Sequence, residues 1–341
     1  MRRIDFERYF ESSYRLEADQ EDPLDGDRIL RGRLVSFDPT KPPVEIRNGI
    51  PRFVSGENYA DSFGLQWNTF RSTQLDSHSG LGLSAKRLWS NTRWKPEDLA
   101  GKSVLEVGGG AGRFTEVPLA AGAAVVSIDY SSAVESNFAN NAALGDVLFA
   151  QADLYDLPFA DESFDFVLCY GVLQHTPDAA LAYRRIFDKL RPGGRISIDH
   201  YRKFFLPNIW STPKYTWRRF VKNMPPENLL RLVRSYLRWW FPVDNLIRNV
   251  PYVGKRLLSV VPIPCWNYVG SGLTYAQRKE WAILDTFDAL SARYDNPLTL
   301  EQVKELVRSE KNASAEVFFG GTGVVANVEK ALAQHAAVPA R

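Results

Sequence analysis

Glu106, Gly108, Gly110 and Gly112 alternate along the stretch Glu106-Val107-Gly108-Gly109-Gly110-Ala111-Gly112-Arg113, and Asp129 follows Gly108 by 21 residues. Glycines at this spacing let a chain turn tightly and bring its backbone close to a ligand, because no Cβ obstructs the approach. An acid at this distance, at the end of the next strand, can bind the hydroxyls of an adenosine ribose. A dinucleotide fingerprint starting at Gly108 would place its third glycine at position 113, where this chain has Arg113. Of the four histidines, His175 and His200 each follow an apolar run, and an imidazole there can take a proton near neutral pH. His78 and His335 stand in less informative contexts. No carboxylate and histidine set has metal-ligand spacing, since Asp199 and His200, adjacent in a strand, would point to opposite faces. No metal is therefore expected. Cys169 lies in an apolar run and reads as a core cysteine, not a nucleophile.

The elements that must position these residues alternate in type. Val104 to Val107 reads as a buried parallel strand, and the segment after Gly112 as a helix whose free N–H groups face the turn. A second strand runs from Ala124 to Ile128 and a helix from Ser131 to Ala143; a third strand ends in Gln151-Ala152-Asp153-Leu154. Phe164 to Tyr170 is the fourth strand, followed by Gly171-Val172-Leu173-Gln174-His175, a helix from Ala179 to Leu190 and a fifth strand from Arg195 to Asp199. Crossovers of this kind favour a doubly wound sheet, with ligands beyond the C-terminal strand ends. After roughly a hundred residues come an amphipathic helix, Thr299 to Arg308, and two strands, Ala315 to Phe319 and Val324 to Val328, about the turn Gly320-Gly321-Thr322-Gly323.

The acid before the turn, the G-x-G-x-G at Gly108, Gly110 and Gly112, and the acid at Asp129 resemble the class I S-adenosylmethionine (SAM) methyltransferases, and in particular bacterial small-molecule methyltransferases. The resemblance implies a Rossmann-like α/β fold: a doubly wound seven-stranded sheet ending in an antiparallel hairpin, with an N-terminal extension and a helical lid insertion. It implies SAM as cofactor and S-adenosylhomocysteine as product. Glu106, Gly108, Gly110 and Arg113 belong to the loop that cradles the amino-acid end, Asp129 with Tyr130 to the ribose side, and Asp153 with Leu154 to the adenine; Tyr170 ends the fourth strand beside them. Phe63-Gly64-Leu65-Gln66-Trp67 resembles the N-terminal helices that close over SAM in such enzymes, which makes Gln66 and Arg71 candidate contacts to its methionine end. Asn48-Gly49-Ile50-Pro51-Arg52-Phe53 resembles the end of a small cysteine-rich β module found ahead of some methyltransferases. The cysteines are absent here, so the hairpin is expected and its metal is not.

The expected organisation is an N-terminal arm and small hairpin over 1–57, a helical lid over 58–100, the SAM-binding core over 101–200, a basic amphipathic insertion over 201–297, and a C-terminal helix and hairpin over 298–341. Met1 to Arg31 is polar and acidic with weak helical character and reads as an arm or a partly disordered segment, and Leu34 to Phe37 and Val44 to Ile46 can form short strands. The net charge of +2 conceals an uneven distribution: Tyr201 to Val260 holds 12 Lys or Arg against only Glu227 and Asp244, so it carries +10 and the remainder −8. Pro225-Pro226-Glu227 can start a helix to about Trp240, with Leu229, Val233, Tyr236, Leu237 and Trp240 on one side and Arg231, Arg234 and Arg238 opposite. Three readings of the block stay open: a folded lid, the lining of a site for an anionic or hydrophobic acceptor, or contact with an anionic membrane surface. Nucleic acid is not expected, since no RNA-binding module or repeat accompanies the arginines. Two cysteines are too few for a disulfide framework, and the charged N-terminus has no signal-peptide core, so a cytoplasmic location is expected.

The expected reaction is methyl transfer to a hydroxyl of a saccharide, a lipid-linked compound or a secondary metabolite, with His175 or His200 as base and Tyr201 as a weaker candidate. Asp285 and Asp288, three residues apart, would share one helical side and could orient an acceptor hydroxyl or pair with the basic block. Carbon or nitrogen methylation, a noncatalytic SAM-binding protein and a nicotinamide-dependent oxidoreductase are the alternatives. Oligomeric state is not readable.

Overall fold

The computed structural model describes all residues except 24, 55, 57, 204–212, 253, 260, 311–312, 322 and 333–341. His335, Val253, Val260 and the Thr322 position of the terminal turn therefore lie outside the described residues. Strands β1 (Tyr14–Asp22), β2 (Asp25–Ser36), β3 (Val44–Arg47), β4 (Ile50–Arg52), β5 (Ser103–Val107), β6 (Ala124–Asp129), β7 (Val147–Gln151), β8 (Phe164–Cys169), β9 (Leu190–Tyr201), β10 (Ala313–Gly320) and β11 (Gly323–Lys330) form one sheet. Its order is β1-β2-β3-β4-β7-β6-β5-β8-β9-β11-β10.

The central strands β7, β6, β5, β8 and β9 are mutually parallel, so their C-terminal ends open on one edge. Strand β11 enters antiparallel between β9 and β10. This is the hairpin that distinguishes the methyltransferase order from a nicotinamide domain with a parallel sixth strand. Both faces of the central strands are covered, as a parallel sheet requires. Leu105, Val167 and Ile198 pack with Tyr183, Ile186 and Val303 on one face, while Val104, Val125 and Phe166 pack with Leu88, Trp94 and Val117 on the other.

Met1 to Arg31 is not an arm. It forms the helix Arg3–Tyr9, then β1 and most of β2, and extends the sheet past β7 to eleven strands. Ile29 and Leu34 of β2 are fully buried. Register shifts between Ala18 and Asp22 bend β1 across Gly32, where a Cβ would stand 2.4 Å from the Glu17 carbonyl oxygen. The Asn48-Gly49 hairpin forms as its residues demand, with φ of 54° and 78° joining β3 to β4.

The helix Val134–Asn141 locks the glycine loop from behind. Asn141 Nδ2 donates to the Gly112 carbonyl at 3.1 Å, and Asn137 Nδ2 donates to Thr115 Oγ1 at 2.8 Å and Ser127 Oγ at 2.9 Å. Gly112 has φ of 89°, and a Cβ there would lie 2.0 to 2.1 Å from the Asn141 and Asn137 amides. Gly112→Ala therefore combines a left-handed backbone with overpacking, and is expected to cost about 2–5 kcal/mol of unfolding free energy, read by urea denaturation.

Between β9 and the helix Leu300–Arg308 the chain forms the helices Pro213–Val221, Pro226–Arg248, Gly254–Ser259 and Tyr275–Ser291. The second does not stop at Trp240 but continues through Pro242. Its Leu229, Val233 and Leu237 pack on Leu284 and Phe287 of the helix Tyr275–Ser291. Buried apolar contact holds the turn together despite the proline.

Candidate functional site

The helix Asp61–Thr69 lies across the C-terminal ends of the parallel strands. Close approach makes this possible: a Cβ on Gly64 would meet Ser132 Oγ at 2.4 Å, and a Cβ on Gly110 would meet the Trp67 ring at 3.1 Å. Phe63 of the same helix packs on His175, with ring centroids 5.1 Å apart. Loops after β5, β6 and β8 are thus closed by one helix.

At the β6 end, Asp129 is partly exposed. It accepts from the Gly110 N–H at 3.0 Å through Oδ2 and from the Ser131 N–H and hydroxyl at 2.8 and 2.7 Å through Oδ1. A carboxylate offers about four lone-pair positions, so capacity remains for a ligand hydroxyl. Burial raises its carboxyl above the usual range, opposed by these donors. Tyr130 pairs with Tyr59 at 5.0 Å between centroids, and the Asp153 charge acts on both phenols. Asp153 itself accepts from the Tyr155 N–H at 2.9 Å. These aromatic and acidic side chains, gathered at the β6 end, have the chemistry an adenosine would use.

Tyr59 also meets Tyr294 at 5.4 Å, which links them to a second group of side chains. His175 ends the turn Leu173–His175 after β8, is almost fully buried, and lies between Phe63 and the Tyr201 ring at 5.3 Å. Its Nδ1 is 2.8 Å from the Tyr294 carbonyl oxygen. A carbonyl only accepts, so Nδ1 carries a proton and Nε2 is the ring nitrogen left to exchange one. Nε2 is buried without a protein partner. Asp288 accepts from Gln66 Nε2 at 3.2 Å and from the Tyr201 hydroxyl at 3.3 Å. Buried and unpartnered atoms recur here: Gln66 Oε1, both Gln174 amide atoms and both His200 nitrogens. Buried polar atoms ordinarily find partners, so this grouping fits a polar ligand that completes them.

A third group lies toward the glycine loop. Arg113 donates to Gln74 Oε1 at 2.5 Å and to Ser84 Oγ at 3.2 Å, and burial lowers its guanidinium to about 10. Asp285 accepts from Gln74 Nε2 at 3.1 Å and from the Tyr268 hydroxyl, and burial pushes its carboxyl up to about 6. Asp199 is held by Arg87 NH2 at 2.6 Å and accepts from the Gly171 N–H at 2.6 Å, which anchors the loop that carries His175. Asp285 and Asp288 thus bind neutral partners inside the site and not the basic block. Asp199 was legible only as the strand neighbour of His200, and Tyr201 as a weaker catalytic candidate than the two histidines. Arg87 and Tyr268 were missed, and only the tertiary fold brings them here.

Four expected contacts are placed elsewhere. Glu106 is buried beneath the loop, accepting from Ser127 Oγ at 2.7 Å and from the Thr115 hydroxyl, so it braces the turn. Tyr170 packs in the core beside Phe114 and shares a 2.7 Å hydrogen bond with Ser197, because its strand position faces the covered side of the sheet. The Leu154 side chain is in the opposite core. Arg71 is exposed beyond the end of the helix Asp61–Thr69. At Gly108, where φ is 76°, a Cβ would strike Val172 Cγ2 at 2.2 Å, so protein packing as well as backbone angle demands the glycine. Cys169 is fully buried and its thiol is pushed far up by burial, as a core residue should be.

His200 is buried and burial pushes its imidazole down to about 4, so it stays neutral and is a weak base. Glu106 shows the opposite shift for an acid: burial pushes its carboxyl up to about 7 against the Thr115 and Ser127 hydroxyls. The unfolded chain releases this proton near pH 4.5, so from there to pH 7 the folded state holds more protons and stability falls as pH rises. Glu106→Gln keeps an acceptor for both hydroxyls and cannot ionise. Its unfolding free energy is expected to gain about 2 kcal/mol on the wild type between pH 5 and pH 8, read by paired urea titrations.

Residues 105–198 match a methyltransferase domain family. The demethylmenaquinone methyltransferase of Corynebacterium urealyticum is 30% identical over 178 residues, which are 50% of this chain and 75% of that protein. The ubiquinone biosynthesis O-methyltransferase of Aromatoleum aromaticum is 30% identical over 151 residues, 40% of this chain and 64% of that protein. A solved SAM-dependent methyltransferase from Aquifex aeolicus superposes with a TM-score of 0.40 at 12% identity, over 81% of this chain and 98% of the other. With SAM as cofactor and a small molecule as acceptor, the chain belongs to the class I SAM-dependent methyltransferases.

Proposed function

We propose that the acceptor is a hydroxylated aromatic of quinol type, methylated on ring carbon or on oxygen, with His175 as the base. The observation that carries this reading is the buried, unpartnered Nε2 of His175, whose ring packs between Phe63 and Tyr201. Aromatic faces suit a flat ring, and Nε2 gives its hydroxyl one proton acceptor. Relatives named for demethylmenaquinone methylation, for O-methylation in ubiquinone biosynthesis and for C-methylation in ubiquinone/menaquinone biosynthesis support this class and both atoms.

When bound, SAM supplies an electrophilic methyl group on a sulfonium. Asp129 would hold the ribose hydroxyls, Tyr130 and Asp153 the adenine end, and Arg113 with Gln66 the methionine end. Placement does much of the work, because two reactants fixed in line replace a bimolecular encounter. His175 Nε2 takes the hydroxyl proton, and the Tyr294 carbonyl steadies the imidazolium through Nδ1. Tyr201 and Asp288 orient the hydroxyl.

Incubation with SAM and a panel of soluble quinols, simple phenols, saccharides and amines tests the assignment. A product heavier by about 14 mass units among the quinols, and none among saccharides and amines, is the expected result. Turnover confined to saccharides or amines would contradict it.

A further inference from the structure

The helix Pro226–Arg248 has two apolar stripes, and among the described residues only one is covered. At about 100° per residue, Leu232, Trp239, Val243, Leu246 and, just past the end, Val250 fall within about 60° of each other. All five are exposed, Trp239 at 74% and Leu246 at 72%. The neighbouring sector holds Arg231, Arg234 and Arg238, also exposed. The remaining side, with Leu229, Val233 and Leu237, is the one buried on the helix Tyr275–Ser291. Amphipathicity for folding needs one stripe, so the second calls for another occupant.

Charge selects that occupant. Among the described residues of this helix the acids are Glu227 in the first turn and Asp244, which is buried and bound to Arg248 at 2.7 Å. The preceding helix adds exposed Phe220 at 66% and Arg219, with exposed Lys222 just after it. A second copy seated on this face would bury like charges with few acids to pair them. A surface that is negative at the top and apolar beneath satisfies both halves at once. We infer that the outer face of the helix Pro226–Arg248 is a docking surface for anionic phospholipid, with Trp239 and Leu246 entering the headgroup boundary and the arginine row meeting the lipid phosphates. This goes beyond the acceptor assignment and needs no turnover, so either can fail without the other.

Flotation of the full chain with vesicles tests it, using phosphatidylcholine alone and an equimolar mixture with phosphatidylglycerol. The wild type is expected to float with the mixed vesicles only, and to be released when salt rises from about 0.1 M to about 1 M and the Debye length shrinks from about 10 Å to about 3 Å. Trp239→Ser with Leu246→Ser, and separately Arg231→Glu with Arg238→Glu, are expected to weaken partition at least about tenfold while SAM affinity and melting temperature stay at wild-type values. Wild type that ignores both vesicles, binds them equally, or floats no better than its variants overturns the inference. So does a wild-type dimer in light scattering that the serine variant converts to monomer, which would assign the face to a second copy.

Discussion

Replacing His175 by alanine is expected to lower kcat by about 10²–10⁴-fold while the Kd for SAM stays within about threefold of wild type. The expectation follows from the tautomer that the Tyr294 carbonyl imposes: only Nε2 can accept, and it is the nitrogen without a protein partner. Added imidazole should restore part of the lost rate by entering the space left behind. A residue that merely packed between Phe63 and Tyr201 would give no such rescue. Wild-type kcat in a folded variant would remove His175 from the chemistry. His200 is the control, because burial holds it neutral down to about pH 4 and both its nitrogens face the interior.

Asp129→Ala is expected to act on the other substrate. Charge-assisted hydrogen bonds contribute about 1.5–3 kcal/mol, so loss of the carboxylate should weaken SAM binding about 10- to 100-fold by calorimetry. The same change frees the Gly110 N–H and the Ser131 hydroxyl, which adds loop disorder to the lost ligand contact. With SAM at saturation, kcat should fall by less than about tenfold. An unchanged Kd in a folded variant would show that the ribose lies elsewhere.

How much could be read from residues alone divides along physical lines. The Gly108 to Gly112 turn, Asp129 and the long apolar runs of β5, β6 and β8 are local signals, and local signals place strand ends. The order of the core strands followed from them and from the terminal hairpin. Strand β1 and the first part of β2 escaped because charged residues interrupt their alternation and burial there rests on few positions such as Ile29, whereas Leu34 to Phe37 reads as a short strand. The helix expected to end near Trp240 runs on through Pro242, because packing on the helix Tyr275–Ser291 overrides the local preference. Glu106 carries the family motif, yet whether an acid faces a ligand or the underside of its own loop depends on Thr115 and Ser127, which spacing does not reveal. Arg87 binding Asp199, 112 residues away, and Gln66 reaching Asp288, 222 residues away, are products of the assembled fold.

The central claim is that Asp129 and His175 stand at two ends of one site under the helix Asp61–Thr69. A crystal structure of the complex with S-adenosylhomocysteine tests it most directly. Ribose hydroxyls are expected within hydrogen-bond distance of Asp129, adenine beside Tyr130 and Asp153, and the sulfur facing His175 Nε2. Ribose bound away from Asp129, or a sulfur that Phe63 and Tyr201 wall off from His175, would contradict it.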